Sequence, residues 1–208
     1  MLDFDPHAFR LDDDEEEKGE KSEGGKQNAG LANKLLKSRT IIISKAVDDK
    51  LAAGVIAQLR ILEDDDASKL ITVIVNSPGG SADSGFAIMD YMRFVKPPVR
   101  SIVCGICASA AVMIHLGSKK EERFCTPSSR FLLHQPSMSA RGQASDLEIL
   151  SAEIERIKLH YNKIVSEETG RALKQVEKDV HRDYWIPAEA AAEYGLVRKV
   201  IAHRGELE

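Results

Sequence analysis

The chain has 208 residues, 43% of them apolar and only 5% aromatic, with a net charge of −4. That is room for one ordinary domain, or one domain with a tail, built on an aliphatic core. No run approaches the ~20 apolar residues of a membrane span, and the near-neutral body argues against nucleic acid as its main partner.

The charge is uneven. Residues 1–33 hold ten acids against Arg10, Lys18, Lys21 and Lys26, a net of −6, so residues 34–208 carry +2. The stretch LDDDEEEKGEKSEGGKQNAG (11–30) lacks the large apolar side chains that offset the entropy of ordering, which predicts a disordered acidic segment over 1–33. It reads either as a solvated terminus without function or as a regulatory or removable segment. An acidic start resembles neither a secretory signal nor a transit peptide, which predicts a soluble, cytoplasmic protein.

From residue 34 onward strands and helices alternate. TIIIS (40–44) reads as a strand and DKLAAGVIAQLRILEDDD (49–66) as an amphipathic helix. KLITVIVNS (69–77) is a continuous β-branched run, the pattern of a strand buried on both faces. A PGG turn leads to a helix over about 82–95, which Pro97 and Pro98 end. VRSIVCG (99–105) is another buried strand, and a helix restarts at Ser109. Short strands in ERFCTP and SRFLLHQP (129–136) precede a long helix over about 145–168. Helices near 171–180 and 187–194 and a strand in LVRKVIA complete an α/β fold with a largely parallel sheet.

Cys104, Cys107 and Cys125 are an odd count, unlike a secreted disulfide framework. The apolar surroundings of the C-x-x-C favour small buried thiols over redox or zinc chemistry.

Two short connections share one plan, in which a buried strand crosses a turn of small residues into a helix. Reactive groups in α/β sheets gather at such strand ends, where helix N-termini offer free N–H groups. Ser109, flanked by Ala108, Ala110 and Ala111, is either an N-cap or a nucleophile that a substrate backbone can approach closely. Pro78, Gly79 and Gly80 allow backbone that aims N–H groups into a cavity. Neither phosphate-binding glycine motif fits, so an oxyanion site competes with an ordinary tight turn. Of six histidines only His134 ends a buried apolar strand, as a general base or as a hydrogen-bonded structural residue. Asp183 in HRDYW is one of many acids, and the residues alone do not single it out.

NSPGG, CASAA, FLLHQPSMSARGQASDLEI and HRDYWIPAEAAAEYGLV, in this order and spacing, resemble the successive motifs of the ClpP family, the proteolytic subunits of the Clp proteases. The likeness runs from about Leu35 to Ile201. It implies the ClpP/crotonase-like repeated β-β-α superhelix with a protruding strand-helix handle, here 137–168, within a peptidase domain over 34–208. The resemblance also implies Ser109 as nucleophile, His134 as general base, Asp183 as orienting acid, and the N–H groups of Gly80 and Ala110 as oxyanion donors.

The family implies two stacked seven-membered rings, of this chain alone or with a paralogue, fed with unfolded polypeptide by an AAA+ unfoldase. No cofactor is implied for this chain, since ATP is used by the partner. Leu147, Leu150, Ile154, Ile157, Tyr161 and Ile164 form an apolar stripe on the long helix, suited to an interface between rings or to burial within one subunit. SMSARGQASD suits pairing as a strand across such an interface.

Three departures stand out. The family's Met-Gly after the serine is Ala110-Ala111 here, which a main-chain donor tolerates. His181 replaces an acid that joins an arginine across rings, so the contact becomes a candidate for pH dependence. The acidic segment stands where the family has axial pore loops. The rival readings are a catalytically silent or regulatory ring subunit and a crotonase-like acyl-CoA enzyme; all three triad positions are occupied and no separate acid pair for hydration is evident.

Overall fold

Residues 34–137 and 139–207 are described by the structure, a computed structural model. The expectation for the acidic segment 1–33 falls outside these residues. Strands β1 (Thr40–Ile43), β2 (Ile71–Ser77), β3 (Val99–Ala108), β4 (Arg123–Cys125) and β7 (Lys199–Val200) lie side by side in that order, each pair parallel. Strand β5 (Arg130–Leu133) runs parallel to the far end of β3, and β6 (Tyr184–Pro187) pairs antiparallel with β5. The helices between them are α1 (Asp49–Asp65), α2 (Ala82–Phe94), α3 (Ala110–Leu116), α4 (Ala144–Thr169), α5 (Leu173–Asp179) and α6 (Ala188–Tyr194).

Residue chemistry explains the helix starts. Asp48 caps α1 by accepting from the Leu51 N–H at 2.7 Å, and Ser81 caps α2 by accepting from the Ser84 N–H at 3.2 Å. Val55 and Leu59 of α1, Ile88 and Met89 of α2, and Met113 and Ile114 of α3 pack with Ile41, Ile43, Val73, Val75 and Val103 in one core. Each of these side chains removed from water stabilises the fold by roughly 1.5–3 kcal/mol before entropy is counted.

That core covers one face of the sheet only, which corrects the expectation that β2 is buried on both faces. Ile71, Val73, Val75 and Ser77 are buried, whereas Thr72 and Ile74 are half-buried and Asn76 is exposed. Among the described residues no α-helix covers the second face; Thr40, Thr72, Ile74, Arg100 and Ile102 line an open groove there. Cys107 and Cys125 are buried thiols, and Cys104 packs beside Ile102, Phe124 and Ile201.

Strand β3 forks, running three residues further than VRSIVCG suggests. Ser101–Val103 pair with Arg123–Cys125, and Ile106–Ala108 pair with Arg130–Leu132. Gly105 sits at the fork with φ +109, and a Cβ there would lie 2.6 Å from Asn76 Oδ1. That same oxygen accepts from the Ile106 N–H at 3.0 Å, replacing a ladder bond where β3 slips by two residues against β2. The bend carries the end of β3 out to β5.

Strand β6 is not anticipated by the helical patterns around HRDYW. Nor do residues 137 and 139–143, expected to extend as a strand, carry one in the single chain. Helix α4 is exposed over most of its first half and buries one face from Tyr161 onward. Its end is anchored by Glu168, which pairs with buried Arg123 and, at 2.8 Å, with Arg93. Among the described residues no helix is long and apolar enough to cross a membrane.

Candidate active site

Strand register brings the singled-out residues to one end of the sheet. Ala108 pairs with Leu132, and the Ser109 N–H donates to the Leu132 carbonyl at 3.0 Å. Ser109 is therefore the first residue past β3, fixed to β5 just short of His134. On the other side of β5, Leu133 pairs with Tyr184 in antiparallel register. The next pair outward is His134 and Asp183. Their side chains meet, with His134 Nδ1 3.3 Å from Asp183 Oδ1. The Gln135 N–H donates to the Val180 carbonyl at 3.1 Å and Gln135 Nε2 to the His181 carbonyl at 2.8 Å, clasping the two segments beyond the strands.

Ser109 occupies the N-cap position of α3 but does not cap it; its side chain makes no capping hydrogen bond. Its backbone stands at φ 54, ψ −122, one of two non-glycine residues with positive φ among the described residues. Holding a serine there costs about 1–3 kcal/mol. A sharp strand-to-helix turn of this kind presents a hydroxyl at the top of a sheet instead of folding it back onto the helix. The local structural reading, an N-cap serine, does not describe this residue.

The PGG turn packs directly against the serine turn. Gly79 has φ +89, and a Cβ on it would lie 2.4 Å from the Ala108 carbonyl oxygen and 2.8 Å from Ser109 Cβ. Only glycine lets the two turns approach so closely. The far side of the turn is stapled to Val47, whose N–H donates to the Gly79 carbonyl and whose carbonyl accepts from the Ser81 N–H, both at 2.8 Å. Among the described residues neither the Gly80 nor the Ala110 N–H donates to a backbone carbonyl outside its own element. Two unspent donors thus flank Ser109.

Ser109, His134, Gly80 and Ala110 border one cavity of about 430 Å³. Among the described residues no hydrogen bond joins Ser109 to His134. Phe86, Met113, Ile154, Ile157 and Tyr161 form its apolar wall. Periodicity placed Ile154, Ile157 and Tyr161 on the helical stripe but offered no signal that the stripe also faces the serine. Asp183 is not on this cavity. It lies in an adjoining recess with His134, Gln135, Ser137, His181 and Arg182, its side chain 56% exposed.

Comparison with known proteins supplies the family. Residues 23–204 match the family model described as Clp protease. The chain is 45% identical to the ATP-dependent Clp protease proteolytic subunit 3 of Rhizobium meliloti, over 96% of this chain and all of that one. It is 40% identical to proteolytic subunit 2 of Treponema denticola, over 90% and 94% of the two chains. Among solved structures, a point mutant of ClpP1 from Listeria monocytogenes superposes with a TM-score of 0.80 at 35% identity, covering 86% of this chain and 99% of that one.

Proposed function

This chain belongs to the Clp protease family, and we propose that it is the serine endopeptidase subunit of an ATP-dependent Clp protease, with Ser109, His134 and Asp183 as its catalytic set. The observation that carries the residue assignment is the β5–β6 register, which sets His134, on the cavity that Ser109 also borders, opposite Asp183 in the adjoining recess. The family match favours the peptidase over the acyl-CoA reading.

Asp183 Oδ1 accepts a hydrogen bond from the Nδ1–H of His134, which leaves Nε2 free as a base and stabilises the imidazolium once formed. His134 takes the Ser109 proton as the hydroxyl attacks a peptide carbonyl, then hands it to the departing amine. The N–H groups of Gly80 and Ala110 hold the developing alkoxide, each worth on the order of 10²–10³ in rate. Water activated by the same imidazole releases the acyl group.

Residues 34–208 form the peptidase domain, with 137–168 as its handle and the acidic segment 1–33 preceding it. The unit works in the cytoplasm as two stacked seven-membered rings, of this chain alone or with a paralogue, receiving unfolded polypeptide from an AAA+ unfoldase. It uses no cofactor of its own. Exposed apolar side chains on the handle helix, Leu147 at 40% and Ile149 at 72%, support a partner surface there. Ser109→Ala tests the assignment. It retains the wild-type circular dichroism spectrum and loses turnover of short acyl-peptide substrates. Wild-type turnover in that variant would remove Ser109 from the reaction.

A further inference from the structure

Among the described residues Asp83 is the one of fixed charge lining the cavity beside Ser109; Ser81, Ser109, His134 and Ser137 add polar groups to a largely apolar wall. Phe86, Met113, Ile154 and Ile157 form a trough of rings and methyl groups. Asp83 lines its side, three residues after Gly80 and one helical turn before Phe86. Asp83 is exposed, and among the described residues its carboxylate takes part in no hydrogen bond or ion pair.

The neighbouring charges are already engaged. Asp49 accepts from Ser84 Oγ at 2.7 Å. Arg156, on the α4 side of the trough, is gripped by both oxygens of Glu153 at 2.6 and 2.8 Å. Its pKa is raised first by that bond and more weakly by the charge of Asp83, and no ion pair joins Arg156 to Asp83 among the described residues. An acid in the first turn of a helix is favoured by the helix dipole wherever it points. The dipole does not by itself explain an acid that lines this largely apolar cavity.

A trough of hydrocarbon with one carboxylate fits a particular class of side chain. Lysine and arginine lay an apolar stem along such a surface and keep a charged head at its end. We propose that Asp83 is a specificity-determining residue, which pairs with a lysine or arginine side chain on the acyl side of the scissile bond while its stem lies along Phe86, Met113, Ile154 and Ile157. The proposal rests on Ser109 being the nucleophile. Charge-assisted pairing at the edge of an apolar cavity outweighs the burial of one more methyl group.

The test uses the full-length chain and two acyl-tripeptide aminocoumarins that differ only in lysine or norleucine before the scissile bond. Norleucine supplies the stem without the ammonium. In Asp83→Asn the ratio of kcat/KM, lysine over norleucine, falls about tenfold from the wild-type value, and Asp83→Glu restores most of it. A wild-type ratio in Asp83→Asn, with turnover still abolished by Ser109→Ala, overturns the role of Asp83 alone. Turnover that survives Ser109→Ala overturns the nucleophile assignment and this proposal with it.

Discussion

Ser81 and Ser109 are the same residue in the same place, each at the head of a helix after a buried strand, and they do different things. Ser81 spends its hydroxyl on the Ser84 N–H, while Ser109 caps nothing and sits at φ 54. A turn that strains its serine and makes no cap with the hydroxyl is what the proposed nucleophile role requires, and no local pattern distinguishes A-S-A from a cap. His115 shows the opposite use of a histidine. It is fully buried, accepts from the Ser101 hydroxyl at Nδ1 (2.7 Å) and donates from Nε2 to the Leu196 carbonyl (3.2 Å). Burial, followed by the charge of Arg123, pushes its pKa down to about 3. The unfolded chain therefore binds a proton that the folded chain refuses. The stabilisation is whole above pH ~6.5 and is lost as pH falls toward the folded value, about 2 kcal/mol of it between pH 7 and 5. Urea unfolding at those two pH values shows that loss in the wild type, and His115→Gln flattens it.

At the scale of elements, the alternation of strands and helices was readable because each long segment carries its own period. The four residues of β6 carry none. Tyr184, Trp185 and Pro187 are exposed and only Ile186 is buried, so nothing in YWIP signals a strand. Its partner β5 lies about fifty residues earlier, beyond the reach of local pattern. That unread strand is what sets Asp183 beside His134, and without it the acid is one among many. The fork in β3 was equally hidden, since it depends on a side chain of β2 replacing a backbone acceptor. Gly105→Ala places a methyl group against Asn76 Oδ1 and strains φ +109. It lowers stability by about 1–3 kcal/mol and, by shifting residues 106–108, lowers kcat. Urea midpoints and peptide kinetics measure both, and an unchanged kcat would show that the fork does not position Ser109.

The whole molecule is unfinished as a single chain. Among the described residues one sheet face lacks an α-helical layer, the first half of α4 exposes Leu147 and Ile149 with Leu159 exposed further along, and residues 139–143 have no strand partner. The apolar stripe of α4 divides along its length: Leu147 lies open, Ile154 and Ile157 wall the cavity, Tyr161 both walls the cavity and joins the core, and Ile164 enters the core. Its helical period was legible in the sequence, but its division was not, because period reports a face and not what the face meets. If the open end joins two rings, Ile149→Glu buries a charge in that joint and halves the particle in sedimentation velocity. An undivided particle would place the joint elsewhere.

The reaction assignment itself is tested most directly by covalent labelling. A fluorophosphonate applied to the full-length protein, followed by peptide mass mapping, places a single adduct on Ser109, at a rate that falls at least a hundredfold in His134→Ala. An adduct on another serine, or none on an assembled particle, contradicts it.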